Sequence, residues 1–371
     1  MTEEELFSHI QTQYDSQLPF VAYRKPKETL VKAILQSDTT QHLVTDFTES
    51  GFIFSPFDTQ NDTLIFPSES CKTITSQCFI SSEIEPINLK HKVDAKARQQ
   101  HIDLVKQGIK YIKTGHLKKV VLSRIEVVPL SEDQPIAIFK SLLSAYQTAF
   151  VYIWYHPKVG LWLGATPETL LDIDGRRFRT MSLAGTKPYK EDKELSWGIK
   201  EINEQQIVTE YIVNHIHDSV SDIKATEPKT IRAGQLLHLQ SKISGDLKAG
   251  QLQSVIKSLH PTPAICGLPK AEAKKFILKN EQYHREFYTG FLGELNLRTS
   301  KSRNTNRRNV ENNAYSTIKR SSELFVNLRC VQLKNKQAII YVGGGITQAS
   351  NPELEWEETV NKTQTIRRVL A

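Results

Sequence analysis

The runs "AFVYIWYH" and "GLWLGAT", joined through "HPKVG", constrain this chain more than any other feature. Aromatic and β-branched runs of this length read as strands, and a short connection containing glycine closes them into an antiparallel hairpin. Strand-like runs recur in "LKKVVLSRIEVVPL", "RRFRTMSLAGT", "FYTGFLGELN", "ELFVNLRCVQL" and "QAIIYVGGGI". Helical periodicity separates them. In "VDAKARQQHIDLVKQGIKYIKTG" the residues Ile102, Val105, Ile109 and Ile112 fall three and four apart, and Gly115 supplies a C-cap. Further helices are expected over about 192–220, 250–259, 270–281 and 352–370. Hairpins outnumber β-α-β units, so the fold class is α+β: antiparallel sheets packed together and flanked by helices. Residues 1 to about 90 mix a short helix with pieces such as "FVAYRK", "HLVTDF", "GFIFSPF" and "TLIFPS" and carry no interpretable motif.

Composition excludes several classes. At 371 residues, 39% of them hydrophobic, the chain can bury a large core. Its start, "MTEEELFSHIQTQYDSQLP", is acidic where a signal peptide is basic and then apolar, and no run is long enough to span a bilayer, so the expectation is a cytoplasmic protein without a membrane partner. Cys71, Cys78, Cys266 and Cys330 have neither disulfide-framework nor zinc spacing. The net charge of +7 sits almost wholly in "RTSKSRNTNRRNVENNAYSTIKR", residues 298–320, which has seven basic residues and one acid. That segment lacks the interleaved aromatics of a single-strand binder and reads as a solvated loop between strands, so no nucleic-acid partner is expected.

Lys119 is the first candidate for chemistry. Alternation places it on one strand face with Val121 and Ser123, and Val120, Leu122 and Arg124 on the other. It is either a solvated strand entrance or a partly desolvated catalytic lysine whose neutral amine serves as a base. Glu355, Glu358 and Lys362 form one line along the last helix, either an ion-pair ladder or a carboxylate face for a hard cation. Asn351 or Ser350 caps that helix and Glu353 suits its dipole. Glu201 and Glu204 lead onto the apolar stripe at Val208 and Tyr211, so they point partly inward and need a basic or metal partner. His215 and His217 share no face and make no metal pair. Glu168, after Pro167, is a first-turn dipole partner or a catalytic acid. Gly343, Gly344 and Gly345 permit close approach of a ligand, without the spacing of a phosphate loop.

In order along the chain, "KVVLSR", "GATPETLL", "SLAGT", "EINEQQIVTE", "LLHL", "LHPTPAICGLP", "FYTGFLGE", "LFVNLRC", "YVGGGI" and "ELEWEETVNK" resemble the chorismate-utilising enzymes, the anthranilate synthase component I-like family, and within it the isochorismate synthases. The resemblance covers about 95–370. It implies a division into residues 1–92, a variable N-terminal part of the same fold, and 93–371, the chorismate-binding catalytic region. It implies Mg²⁺ held by Glu204 and Glu358, with Glu201 and Glu355 beside them holding metal-bound water. Lys119 would be the general base, deprotonating water that attacks C2 of chorismate, and Glu168 the acid that protonates the departing C4 hydroxyl. Arg329 and Lys362 would anchor substrate carboxylates. Backbone amides at Gly343–Gly345 and at Gly185 and Thr186 would complete the cradle, and His238 would lie near the ring or its carboxylate.

The family makes several products. Members that use ammonia carry glutamine where Lys119 stands, so the lysine favours water. Lyase members that proceed to salicylate place threonine where this chain has Ala264, and Ala264 followed by Ile265 resembles the isochorismate type. No L-L-E-S regulatory motif is present, and Gln205 replaces the histidine that often follows the metal glutamate. The resemblance therefore implies a monomeric, Mg²⁺-dependent isomerase feeding menaquinone or siderophore synthesis. The alternatives are a salicylate synthase and a catalytically silent binding protein.

Overall fold

The computed structural model describes residues 1–78, 94–131, 134–189, 196–233, 236–301 and 317–370. Their strands form two antiparallel sheets. The first runs Gly267–Leu268, Lys119–Pro129, Gln337–Ile346, Cys330–Lys334, Gly160–Thr166, Phe150–His156, Phe20–Arg24, Leu30–Gln36 and Cys71–Gln77. The second runs Val220–Ala225, Leu236–Leu247, Arg177–Pro188, Thr169–Asp174, Thr317–Val326, Phe291–Lys301, Gly51–Ser55, Leu64–Pro67 and His42–Leu43, with Lys229–Ala233 also on Leu236–Leu247. The expected α+β class is what forms. The opening hairpin has Phe150 opposite Thr166 and His156 opposite Gly160.

The sheets meet face to face through aromatic side chains. Phe150 of the first sheet stacks on Phe325 of the second with ring centroids 4.2 Å apart, and Phe54 stacks on Phe287 at 4.2 Å. Around them Tyr23, Phe52, Tyr152, Trp154 and Trp162 are buried in one cluster. Large rings bury the most apolar area per residue, so this layer contributes most strongly to holding the sheets together. Helices cover the outer faces. Glu3–Asp15 and Pro135–Ala145 pack on the first sheet, and Ile199–Ile216 and Leu252–Leu259 pack on the second. Ala95–Lys113 is capped by Asp94 and followed by Gly115 at φ +84°, a value glycine tolerates, and it lies beside Pro352–Arg367.

Several expectations are corrected. The run "ELFVNLRCVQL" is two strands in different sheets, because Asn327 turns inward, donating to Phe287 O at 2.9 Å, and Arg329 adopts φ +48°. The helix expected over 192–220 is Ile199–Ile216, beginning after Gly198; residues 190–195 lie outside those described. The ends of the basic segment are not loop: Arg298 pairs with Arg320 and Lys301 with Thr317, while residues 302–316 lie outside those described. Strands Leu30–Gln36, Cys71–Gln77, Val220–Ala225 and Lys229–Ala233 and helix Pro135–Ala145 had no reading in the sequence. The N-terminal strands build into both sheets, three in each.

One ionic cluster sits in this core. Glu294, its side chain 5% exposed, takes Lys25 at 2.6 Å and Lys32 at 2.5 Å and accepts from the Tyr23 hydroxyl. Burial alone would raise its pKa, but the two lysines outweigh burial and hold it down to about 2. The stability this cluster contributes is thus present above the ordinary carboxylate range and lost as pH falls toward 2. Glu294→Gln leaves Lys32 without its carboxylate and Lys25 with Glu323 alone, at 2.7 Å, and should cost roughly 3 kcal/mol in urea unfolding at pH 7. The difference from wild type should shrink steadily below about pH 4.

Candidate active site

Two crossovers between the sheets define the cleft. After Thr166 the pair Pro167–Glu168 carries the chain from the first sheet to Thr169 of the second, and after Val326 residues 327–329 carry it back to Cys330. The crossovers bond to each other: Val326 N donates to Glu168 O at 3.0 Å and Ala165 N to Arg329 O at 3.1 Å. Glu168 and Arg329 are thereby brought to one wall of a cavity. The first-turn reading of Glu168 is corrected, because a strand and not a helix follows it.

The Glu168 side chain is 4% exposed. Burial raises its pKa to about 8 against the opposing pull of Lys119 and Arg329. A carboxyl so placed keeps its proton at neutral pH. Arg329 is lowered by burial to about 10 and remains a cation. His238 spans the cleft floor: Arg329 Nη2 donates to its Nε2 at 2.9 Å, and its Nδ1 donates to Gly185 O at 2.9 Å. These bonds require the neutral Nδ1–H form. Burial, then the Arg329 charge, lower His238 to about 3 and so agree with that form. His238 therefore holds Arg329, a task its sequence position did not disclose.

Lys119 opens its strand between Leu268 on one side and the glycine strand Gln337–Ile346 on the other. It is fully buried, and its Nζ lies 2.7 Å from Glu204 Oε1. The solvated-entrance reading is overturned. Glu204 comes from helix Ile199–Ile216 and lines the cavity above Lys119. Gly345 makes this approach possible, because a Cβ there would stand 2.5 Å from Glu204 Oε1 and 3.0 Å from Lys119 Cε. Glu201, one turn earlier, lies against Gly185, whose φ of +70° falls at the register shift between Ala184 and Lys187 of its strand.

The last helix supplies the opposite side. Asn351 caps it, accepting from Glu353 N at 2.9 Å, and Glu353 pairs with Arg98. Glu355 is 3% exposed with Oε2 about 3.5 Å from the Cβ position of Gly344, and Glu358 Oε1 lies 3.8 Å from the same point. Lys362 pairs with Glu358 at 2.7 Å and donates to Gly343 O at 2.9 Å. Carboxylates from two helices thus face one glycine strand, and oxygen donors of this kind suit a hard divalent cation. Among the described residues no three acidic, histidine or cysteine side chains already close around one point; Glu204 is engaged by Lys119 and Glu358 by Lys362.

Ala264 and Ile265 line the remaining wall with Val121, Tyr288 and Thr289. The Thr186 side chain lies outside those described. Tyr288 and Thr289 had no assigned part, although "FYTG" was a recognisable motif; the backbone of Thr289, at φ +59°, is the signal that only the structure reveals. Behind this wall the buried Arg285–Glu281 pair bonds to Val121 O, Ser123 N and Ile265 O. Gln205 anchors its helix to Ser182 O at 3.1 Å and Ser182 Oγ at 2.8 Å.

Comparison with known proteins bears on this site. A family described as chorismate binding enzyme matches residues 55–301, and a second with the same description matches 314–368. Isochorismate synthase DhbC of Bacillus subtilis is 28% identical over 287 residues, which span 72% of this chain and 66% of that protein. Isochorismate synthase EntC of Escherichia coli is 26% identical over 336 residues, 85% of this chain and 79% of that one. The crystal structure of DhbC from Bacillus anthracis shares the fold with a TM-score of 0.77 at 24% identity, covering 98% of this chain and 99% of that one. The first family alone takes in more than half of the sequence, including Lys119, Glu168 and Glu204. The chain belongs to the chorismate binding enzymes.

Proposed function

We propose that this protein is an isochorismate synthase, an isomerase that adds water at C2 of chorismate while the C4 hydroxyl departs. The observation that carries the reading is a buried carboxyl that keeps its proton to about pH 8, Glu168, on the wall of a cavity behind whose Glu204 lies a fully buried lysine, Lys119. Hydroxide leaves poorly and water attacks poorly, so the reaction needs an acid at one carbon and a base at another. The curated relatives named above support the same reading.

In this mechanism Arg329 and Lys362 hold substrate carboxylates, with backbone N–H groups at Gly343–Gly345, Gly185 and Thr186. His238 positions Arg329. Water forms its bond to C2 and gives its proton to Lys119, which serves in its deprotonated amine form, released from the ion pair it makes with Glu204 in the unliganded site. The ring double bonds shift, the C4–O bond breaks, and Glu168 delivers its proton so that the leaving group is water. Lys119 and Glu168 return to their starting forms by proton exchange with solvent. Ala264 and Ile265 bound the ring without offering the hydroxyl that a lyase would place there. Glu204 and Glu358 are suited to hold Mg²⁺, with Glu201 and Glu355 beside them. When bound, the ion supplies charge to grip a substrate carboxylate.

Purified protein given chorismate and Mg²⁺ should form isochorismate by chromatography and mass, with no pyruvate, no response to ammonium and no turnover without the metal. Pyruvate with salicylate would replace the reading with a salicylate synthase. Glu168→Gln should lower kcat by roughly 10²–10⁴-fold. Wild-type kcat/KM should fall as pH rises through about 8, where the Glu168 proton is lost. Because its folded pKa is raised, wild-type stability should also fall from the ordinary carboxylate range up to about pH 8, and calorimetric melting of Glu168→Gln should lack that slope.

A further inference from the structure

A second cavity lies on the other side of the Lys119 strand, where alternation directs Arg124. Its volume is about 420 Å³. Helix Ala95–Lys113 contributes His101, the strand contributes Arg124 and Glu126, and helix Pro352–Arg367 contributes Trp356 and Arg367. Arg124 is 8% exposed and lies over the Trp356 ring at 4.4 Å. Its Nε donates to Thr359 Oγ1 at 2.8 Å and its Nη1 pairs with Glu126 at 3.1 Å. Its Nη2 finds no acceptor among the described residues. The same holds for Nδ1 of His101, 3% exposed, and for Nε of Arg367.

Three buried polar atoms from three elements therefore line one cavity with bonds unmade, where native structures ordinarily satisfy such groups. The charge balance has the same sense. Glu126 answers both arginines, Arg367 at 2.6 Å, so two guanidinium groups share one carboxylate here. Asp94, the other acid on the wall, accepts from Lys96 N and Ala97 N as a helix cap. Burial lowers the pKa of Arg124 despite Glu126, as expected of an under-compensated cation.

We propose that this cavity binds a small molecule bearing a carboxylate or phosphate group, received by Arg124 Nη2, Arg367 Nε and the Nδ1–H of His101. Guanidinium groups match such oxyanions in geometry as well as charge. An occupant bears on the catalytic helix through Thr359 and Trp356, neighbours of Glu358 and Glu355 in the chain. The site stands on its own geometry and does not depend on the reaction assigned above.

The test is calorimetric titration of the full chain with inorganic phosphate at constant ionic strength, with acetate in parallel to tell a phosphate from a carboxylate preference. Saturable binding of either anion that survives Arg329→Gln and weakens about tenfold in Arg124→Gln supports the site, that factor being the scale of one charge-assisted hydrogen bond. Arg367→Gln, whose side chain is nearer solvent, should weaken binding severalfold and keeps the test valid if the Arg124 variant folds poorly. Absence of saturable binding, or binding lost in Arg329→Gln and unchanged in both Arg124→Gln and Arg367→Gln, overturns the proposal.

Discussion

The molecule depends on the place where its chain crosses twice between the two sheets. A crossover buried among aromatic side chains must satisfy its own backbone groups. Here the two crossovers do this for each other, through Val326 N to Glu168 O and Ala165 N to Arg329 O. Asn327 completes the seam: it is fully buried, its carbonyl accepts from Thr289 N at 2.9 Å, and its side-chain oxygen accepts from the Tyr152 hydroxyl at 2.6 Å. Arg329 takes a positive φ, a conformation that costs energy outside glycine and persists where the surroundings over-determine it. The seam that joins the sheets also delivers an acid and a guanidinium to one cavity.

Burial at that seam decides the proton states. Glu168 has no carboxylate-stabilising partner strong enough to offset desolvation, so it retains its proton. Glu294 lies as deep in the same sandwich, yet two lysines hold it ionised. One chain therefore sets two buried glutamates at opposite ends of the carboxyl range by neighbour placement alone. Elsewhere in the cleft the fully buried Lys119 is paired with Glu204, as a charge removed from water must be, and the partly exposed Lys362 pairs with Glu358.

What was legible in the sequence followed short-range rules. The hairpin at 150–166, the Asn351 cap and the two carboxylate lines depend on spacing within one element, and each formed as read. The break in "ELFVNLRCVQL" was not legible, because an extended apolar run looks the same whether its halves join one sheet or two. His238 as the holder of Arg329 was hidden for the same reason, since the two residues stand 91 positions apart. Strand Cys71–Gln77 escaped notice because, at the sheet edge, it alternates buried and exposed residues without strong apolar character.

The central claim is that solvent water, activated at Lys119, supplies the new hydroxyl while the old one departs from C4 with the proton of Glu168. Turnover of chorismate in water enriched in ¹⁸O, with isochorismate analysed by mass at early times, tests this directly. The account predicts one labelled oxygen in the product, located at C2. Isochorismate formed without label would mean that the hydroxyl migrates within the substrate, and the assigned roles of both residues would fall.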